Sequence, residues 1–462
     1  MKPLYFHVLI ITAILLTFVL TIGIRVDLSG DEFFYFSRAK LILRFLSSNI
    51  NSSNPMSFEL FQTQLVGRGW FMPGMSCVIF PITFIAKKLH LNTNETITIS
   101  RYIIGFLNFF LNIWIVSLSI KSFSKKSQIA CLYFLTLTPI LLIQSFTFWG
   151  ELLATKIIII LILSMQTGKT NLKISKLLTM GITTCFIVYL KPSFILILPV
   201  FTFFLFFKVY SQENWIQATI KSTLFLVSFT ALLSPWSASI SKVLGAKTLT
   251  TSSIKLNTIV AFNQKILSET KKESNKNIWG ALHQRITKEA REEQSSYGKK
   301  LNDHFHQTLK SFDTNYYQKQ TKYYFKKMFF QPSQFLDKHF NGQLTNRINT
   351  STIKQLSRLF KMTNTFIFIF LSTYFLYSIF AVPIRSYAFP EVSSLLLLHV
   401  LTVYIQPFLS IAHGRYYSAA IISVGYLLFL PHNESSYVKM PIKIIFYALR
   451  TFITITLILV TL

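Results

Sequence analysis

Uninterrupted apolar stretches of about 20 residues recur along most of this chain, and no other feature restricts its fold as much. A helix rises 1.5 Å per residue, so each stretch can cross a bilayer core of about 30 Å. Inside lipid every backbone N–H and C=O must be satisfied within the segment, which leaves helix as the available form. The first run is Tyr5 to Ile24. Six more cover about Arg101 to Ile120, Gln128 to Thr147, Gly150 to Met165, Leu177 to Leu190, Pro192 to Phe207 and Ile216 to Trp236. A last group covers about Met362 to Ile384, Val392 to Ile411, Tyr416 to Leu430 and Pro441 to Leu462. The expectation is an all-α polytopic membrane protein of about eleven spans. With 51% hydrophobic and only 14% charged residues, a soluble enzyme is excluded. The three cysteines share no close spacing, so neither a disulfide framework nor a zinc site is expected.

Charge sets the topology. Most of the 46 Lys and Arg lie between or beside the apolar runs, so the net +29 points to anionic lipid and orientation rather than to nucleic acid. Residues 1–24 read as an uncleaved signal-anchor span, since no small-x-small cleavage pattern follows. The run Trp70 to Ala86 contains Pro73, Gly74 and Pro81. If it crossed, Lys121, Lys125, Lys126, Lys169, Lys173 and Lys176 would sit in short loops on the disfavoured outer side. An interfacial position moves all six inside and makes residues 25–100 a first outer loop. A six-span core follows over 101–236, then a basic outer loop over 237–361 and a four-span bundle over 362–462. The basic loop carries 22 Lys and Arg against 8 acids. Within it Phe305, Leu309, Phe312 and Tyr316 keep helical spacing, predicting one interfacial helix through that stretch. Lys191-Pro192 makes the flanking pair of runs either two short spans or one kinked helix.

Only 17 acids exist in the chain, so those near the membrane are informative. Asp31 and Glu32 follow the anchor among Phe33, Phe34, Tyr35 and Phe36. Carboxylates packed among aromatics near lipid have raised pKa values, which suits a general base. The structural alternative is a capping box from Ser29 to Glu32 at a helix start. Glu151 follows Trp149-Gly150 at the outer end of a span, where an ionisable residue is a site candidate or a helix-start carboxylate favoured by the macrodipole. His304 and His306 beside Asp303 read as solvated.

Asp31-Glu32 followed by Tyr35 and Ala39, just outside the first span, resembles the GT-C lipid-linked sugar transferases. The nearest branch is the protein O-mannosyltransferase and lipid A aminoarabinose transferase group. Gly67 to Pro81, Ser145 to Glu151, Leu190 to Pro199 and Pro235 to Asn263 are similar to that family's order of motifs, as is Arg415-Tyr416 opening a late span. The resemblance implies a GT-C-like transmembrane bundle that takes a sugar from a polyprenyl phosphate and inverts at the sugar carbon. It further implies that Asp31 deprotonates the acceptor hydroxyl, while Glu32 and Glu151 arrange acceptor, base or a divalent metal. The family's Arg before the acidic-motif Tyr is replaced here by Phe34, and its Lys-Pro-Pro by Met72-Pro73.

A departing polyprenyl phosphate needs a fixed cation. Arg415 with Tyr416 is the first candidate, then Lys191 and Arg68; each could instead be an interfacial anchor. Tyr35 and His413 are weaker site candidates. No cofactor is required, and a divalent metal stays open. The partners implied are a polyprenyl-phosphate sugar, anionic lipids and a glycolipid, polysaccharide (including lipopolysaccharide) or protein acceptor. The location implied is a bacterial inner membrane with the site facing the periplasm. Two rivals remain. A polysaccharide polymerase or ligase would put its chemistry on Arg285, Arg291 and the lysines of the basic loop. A lipid-linked sugar transporter or flippase would move its substrate without forming a glycosidic bond.

Overall fold

In the computed structural model the described residues are 2–22, 28, 30–51, 55–119, 123–166, 173–273, 278–311, 313–330, 350–383, 386, 389–409, 417–431 and six positions between 443 and 454. Among these, every regular element is a helix and none is a strand. Four helices are long and apolar enough to cross a membrane: Thr93–Leu118, Pro192–Tyr210, Trp215–Leu244 and Arg358–Phe380. The pair Lys125–Leu137 and Pro139–Ser145, bent by 62°, makes a fifth if taken as one span. These helices expose Phe110, Trp114, Phe203, Val227, Leu232, Phe366 and Phe370 on their outer faces. Such a band is costly in water and at home in lipid. The chain is thus a helical membrane protein, with four or five membrane-length helices among the described residues where hydropathy reads eleven runs over the whole chain. Ile174–Leu190 is only 17 residues long as continuous helix, and the expected runs from Tyr5 to Ile24 and from Tyr416 to Leu430 are described only in part. The expected last run, Pro441 to Leu462, lies largely outside the described residues.

The elements that build the site are α1 (Lys2–Ile22), α2 (Asp31–Asn51), α3 (Phe58–Val66), α4 (Gly74–Lys88), α5 (Thr93–Leu118), α6 (Lys125–Leu137), α7 (Pro139–Ser145), α8 (Gly150–Gln166), α9 (Ile174–Leu190), α10 (Ile197–Tyr210) and α11 (Trp215–Leu244). Pro139, which has no N–H to give, starts α7 after the bend. The Ile140 N–H left over is taken by Asn364 Oδ1, reaching across from Thr350–Phe380.

The chain between α9 and α10 forms a reversal, not a kinked helix. α9 stops at Leu190, Lys191 is extended (φ −144°, ψ 100°), and a 3-10 turn over Pro192–Leu196 leads into α10. Lys176 near the start of α9 donates to Ser164 O, and Lys208 near the end of α10 donates to Met165 O. Two lysines 32 residues apart therefore meet the same end of α8, so α9 and α10 run antiparallel. At the other end Gly150 lies against Leu190, where a Cβ would come within 2.3 Å of the Leu190 carbonyl oxygen. Only glycine allows α8 to begin there.

α4 is 15 residues long, carries Pro81, and is too short to cross. The predicted single helix through Phe305 and Tyr316 is two: it ends at Lys310, turns at Ser311 and restarts at Thr314. Residue 312 lies outside the described residues, and the apolar stripe is divided between two helices, which spacing alone does not reveal.

Candidate functional site

One end of the bundle collects the chemistry-bearing side chains. It is formed by the start of α2, the start of α5, the α7–α8 junction and the α9–α10 turn. Lys125, Lys173 and Lys176 belong to the opposite end, with the last turn of α8.

Glu32 enters the bundle. Its Oε2 lies 3.0 Å from Arg101 Nη2, and both side chains are essentially inaccessible, at 0% and 2% exposure. Its Oε1 accepts the Phe148 N–H at 3.0 Å. Arg101 also donates to Phe146 O at 3.1 Å and stacks over the Phe148 ring at 5.1 Å. Glu32 thus fastens α2 to α5 and to the segment before α8. The capping box expected from Ser29 to Glu32 involves Ser29, which lies outside the described residues.

Glu151 and Lys191, singled out separately in the sequence, meet as an ion pair of 2.9 Å with both side chains largely buried. The lysine expected to hold a phosphate and the acid expected to arrange the site neutralise one another. Arg415, Tyr416 and His413 lie outside the described residues. Among the described residues no group of three or more His, Cys, Asp or Glu is placed to hold a metal, and the acids named for that role, Glu32 and Glu151, have basic partners.

Arg68 is the predicted cation found beside open space. It sits between Gly67 and Gly69, whose φ values of 53° and 66° are left-handed. At Gly69 a Cβ would also come within 2.9 Å of Leu244 Cδ1. Ser252 ties the turn down, its N–H donating to Gly69 O and its hydroxyl to Arg68 O. Arg38 on α2 braces it from the other side, donating to Val66 O at 2.8 Å and Phe71 O at 2.9 Å. Burial lowers the Arg38 pKa to about 10, which leaves it charged at neutral pH. The Arg68 guanidinium lies 5.2 Å from the Trp70 ring.

Between α2 and this turn opens a cavity of about 550 Å³. Its basic lining is Arg38, Lys40, Arg44 and Arg68, its aromatic lining Phe34, Trp70 and Phe71, and no acid contributes. Phe34, Arg38 and Leu41 line it along one face of α2. Asp31, half-buried, falls on the same face one turn earlier, though it is not itself part of the lining. Tyr35 is buried with its ring edge-on to Phe71 at 5.6 Å, packed inward.

Beyond Arg68 lies a second cavity of about 490 Å³, which Arg68 shares with His283, Thr287, Lys288, Arg291 and Glu292 of α12 (Ile278–Glu292). His283 stands between the Trp70 and Tyr297 rings at 5.6 and 4.9 Å. Burial, and then the positive charge of Arg68, lower its pKa to about 4, so it is neutral at pH 7. His304, expected to be solvated, contacts Glu289 at 2.5 Å. Burial pushes the Glu289 carboxyl up, but hydrogen bonds from His304 and Arg285 outweigh it and the net shift is downward. Arg285, the rival reading's phosphate ligand, is held at 2.9 Å by both Glu269 and Glu289.

Sequence reasoning missed Arg38, Lys40, Arg44 and Arg101. A signal for the first group existed, since Phe34, Arg38, Leu41 and Arg44 recur at helical spacing. Arg101 gave none, because a basic residue at the start of a span usually reads as an anchor.

No family model, curated protein or solved structure matches this chain.

Proposed function

We propose that this protein is an inverting, GT-C-like glycosyltransferase that moves a sugar from a polyprenyl phosphate to a cell-envelope acceptor on the non-cytoplasmic face. The carrying observation is the acid-free basic and aromatic cavity of about 550 Å³ on the α2 face that begins with Asp31. A polyprenyl-phosphate headgroup offers a phosphate to Arg68, Lys40 and Arg44 and a sugar face to Trp70 and Phe71. Asp31 at the head of that face would take the proton of the acceptor hydroxyl as its oxygen attacks the sugar carbon. The bond from the sugar carbon to the phosphate oxygen breaks, and the charge of the departing polyprenyl phosphate monoester is stabilised by Arg68. The Glu32–Arg101 and Glu151–Lys191 pairs hold the surrounding helix ends in register. Eleven spans with this end in the periplasm of a bacterial inner membrane remain the topology that fits the lysine distribution.

The test is transfer from a panel of polyprenyl-phosphate sugars by the reconstituted protein. Asp31→Asn should lower the rate about 10²- to 10⁴-fold, the usual yield of a positioned general base, in a protein that still folds and inserts. A correctly inserted Asp31→Asn protein that still transfers sugar at the parental rate rejects the assignment. Cysteines introduced near Ser29 and at Ser124 should label from opposite sides of the membrane.

A further inference from the structure

A third cavity, of about 830 Å³, lies in the basic outer loop and takes no part in the chemistry above. It opens between α12, the two helices before it (Ser253–Phe262 and Gln264–Glu273) and the two after it (Tyr297–Lys310 and Thr314–Phe330). α12 is the wall between this space and the Arg68 side. His283, Thr287 and Arg291, at i, i+4 and i+8, face Arg68; Arg285 faces the third cavity.

The charge of its lining separates it from the other two. The loop as a whole has 22 basic residues to 8 acids, and the two cavities that touch Arg68 are net basic. Here Lys265 and Arg285 are matched by Glu269 and Asp313. Two of the loop's few acids have been placed in one lining, and an anionic ligand would meet both. The remaining polar lining includes the exposed amides Gln264 and Gln307, with the half-buried Tyr316 at the margin. Amides that both donate and accept, carboxylates that accept, and an aromatic face fit a ligand presenting many hydroxyls and apolar C–H patches. The volume lies within the roughly 300–1,000 Å³ of small-molecule sites.

We propose that this cavity is a binding site for a neutral oligosaccharide. Binding stands on this cavity alone; the further step, that the bound glycan is part of the acceptor, rests on the transferase reading.

The experiment uses the full-length protein in nanodiscs, without any donor. A panel of neutral oligosaccharides, including maltotriose and chitotriose, is screened by saturation-transfer NMR, with inorganic phosphate as the anionic control. At least one neutral oligosaccharide should bind, and phosphate should not compete with it. Gln264→Ala and Gln307→Ala should each weaken binding several-fold, up to about tenfold, the effect of one or two lost hydrogen bonds. Asp31→Asn and Arg68→Ala should leave it unchanged. Both glutamines are exposed, so their truncation tests recognition without threatening the fold. No binding across the panel, binding indifferent to both glutamine variants, or displacement by phosphate would each overturn the proposal. If transfer fails with every donor while oligosaccharide binding survives, the transferase reading falls and the glycan site stands.

Discussion

Replacing Glu32 by Gln tests the buried clamp directly. The substitution keeps the side chain's shape and leaves an oxygen for the Phe148 N–H, but removes the charge opposite Arg101. That guanidinium is 2% exposed, its Nη2 lies 3.0 Å from the carboxylate, and its other neighbours include the Phe146 carbonyl and the Phe148 ring, neither of which carries a negative charge. Breaking one side of a buried pair costs about 3–5 kcal/mol, chiefly because the other charge stays unpaired out of water. Arg101→Met should cost a similar amount by stranding the carboxylate. The double variant Glu32→Leu/Arg101→Met removes both charges, and apolar replacement of a whole buried pair is often close to neutral. The assay is thermal unfolding of the purified protein in nanodiscs, followed by tryptophan fluorescence at one fixed scan rate because such unfolding is commonly irreversible. Each single variant should unfold several degrees earlier, and the double variant should regain most of the loss. Unchanged midpoints in the single variants, or a double variant that merely adds the two losses, would refute the clamp. Transfer activity adds a second readout: recovery in the double variant marks Glu32 as a positioning residue, whereas a folded but inactive protein would give it a direct part in the site.

Three further outcomes are expected. Gly69→Ala forces a Cβ into a left-handed backbone and against Leu244, costing about 1–2 kcal/mol for the conformation alone; because this turn carries Arg68, KM for the donor should rise more than kcat falls in steady-state assays. His283 has a folded pKa of about 4 against an ordinary 6.5. The unfolded chain therefore takes up the proton first, and stability should decline as pH falls from about 6.5 to about 4, by at most roughly 3 kcal/mol; His283→Phe should flatten that part of a midpoint-against-pH curve. Gly150→Val places a side chain where the Leu190 carbonyl sits and should part α8 from α9, with lowered thermal stability and loss of the Glu151–Lys191 pair visible as independence from Lys191→Met in a double-mutant cycle.

The sequence by itself determined that this chain is helical and built for a bilayer, because apolar length and backbone satisfaction in lipid are local requirements. It also marked the break at Lys191-Pro192, since proline chemistry acts within a few residues, but not the need for glycine before Glu151, because what a Cβ there would strike is Leu190, 40 positions on. Tertiary structure alone decided what the charges do. Asp31 and Glu32 are neighbours in sequence, yet one residue is a 100° rotation on a helix. Glu32 turns into the bundle toward a partner 69 residues away, while Asp31 stays half-buried on the face that continues into the basic cavity. Glu151 and Lys191 looked like two separate site residues until the α8–α9 hairpin closed 40 positions between them. Apolar periodicity says which face of a helix leaves water but not which other helix it meets, and the pairing of buried charges is fixed by that meeting.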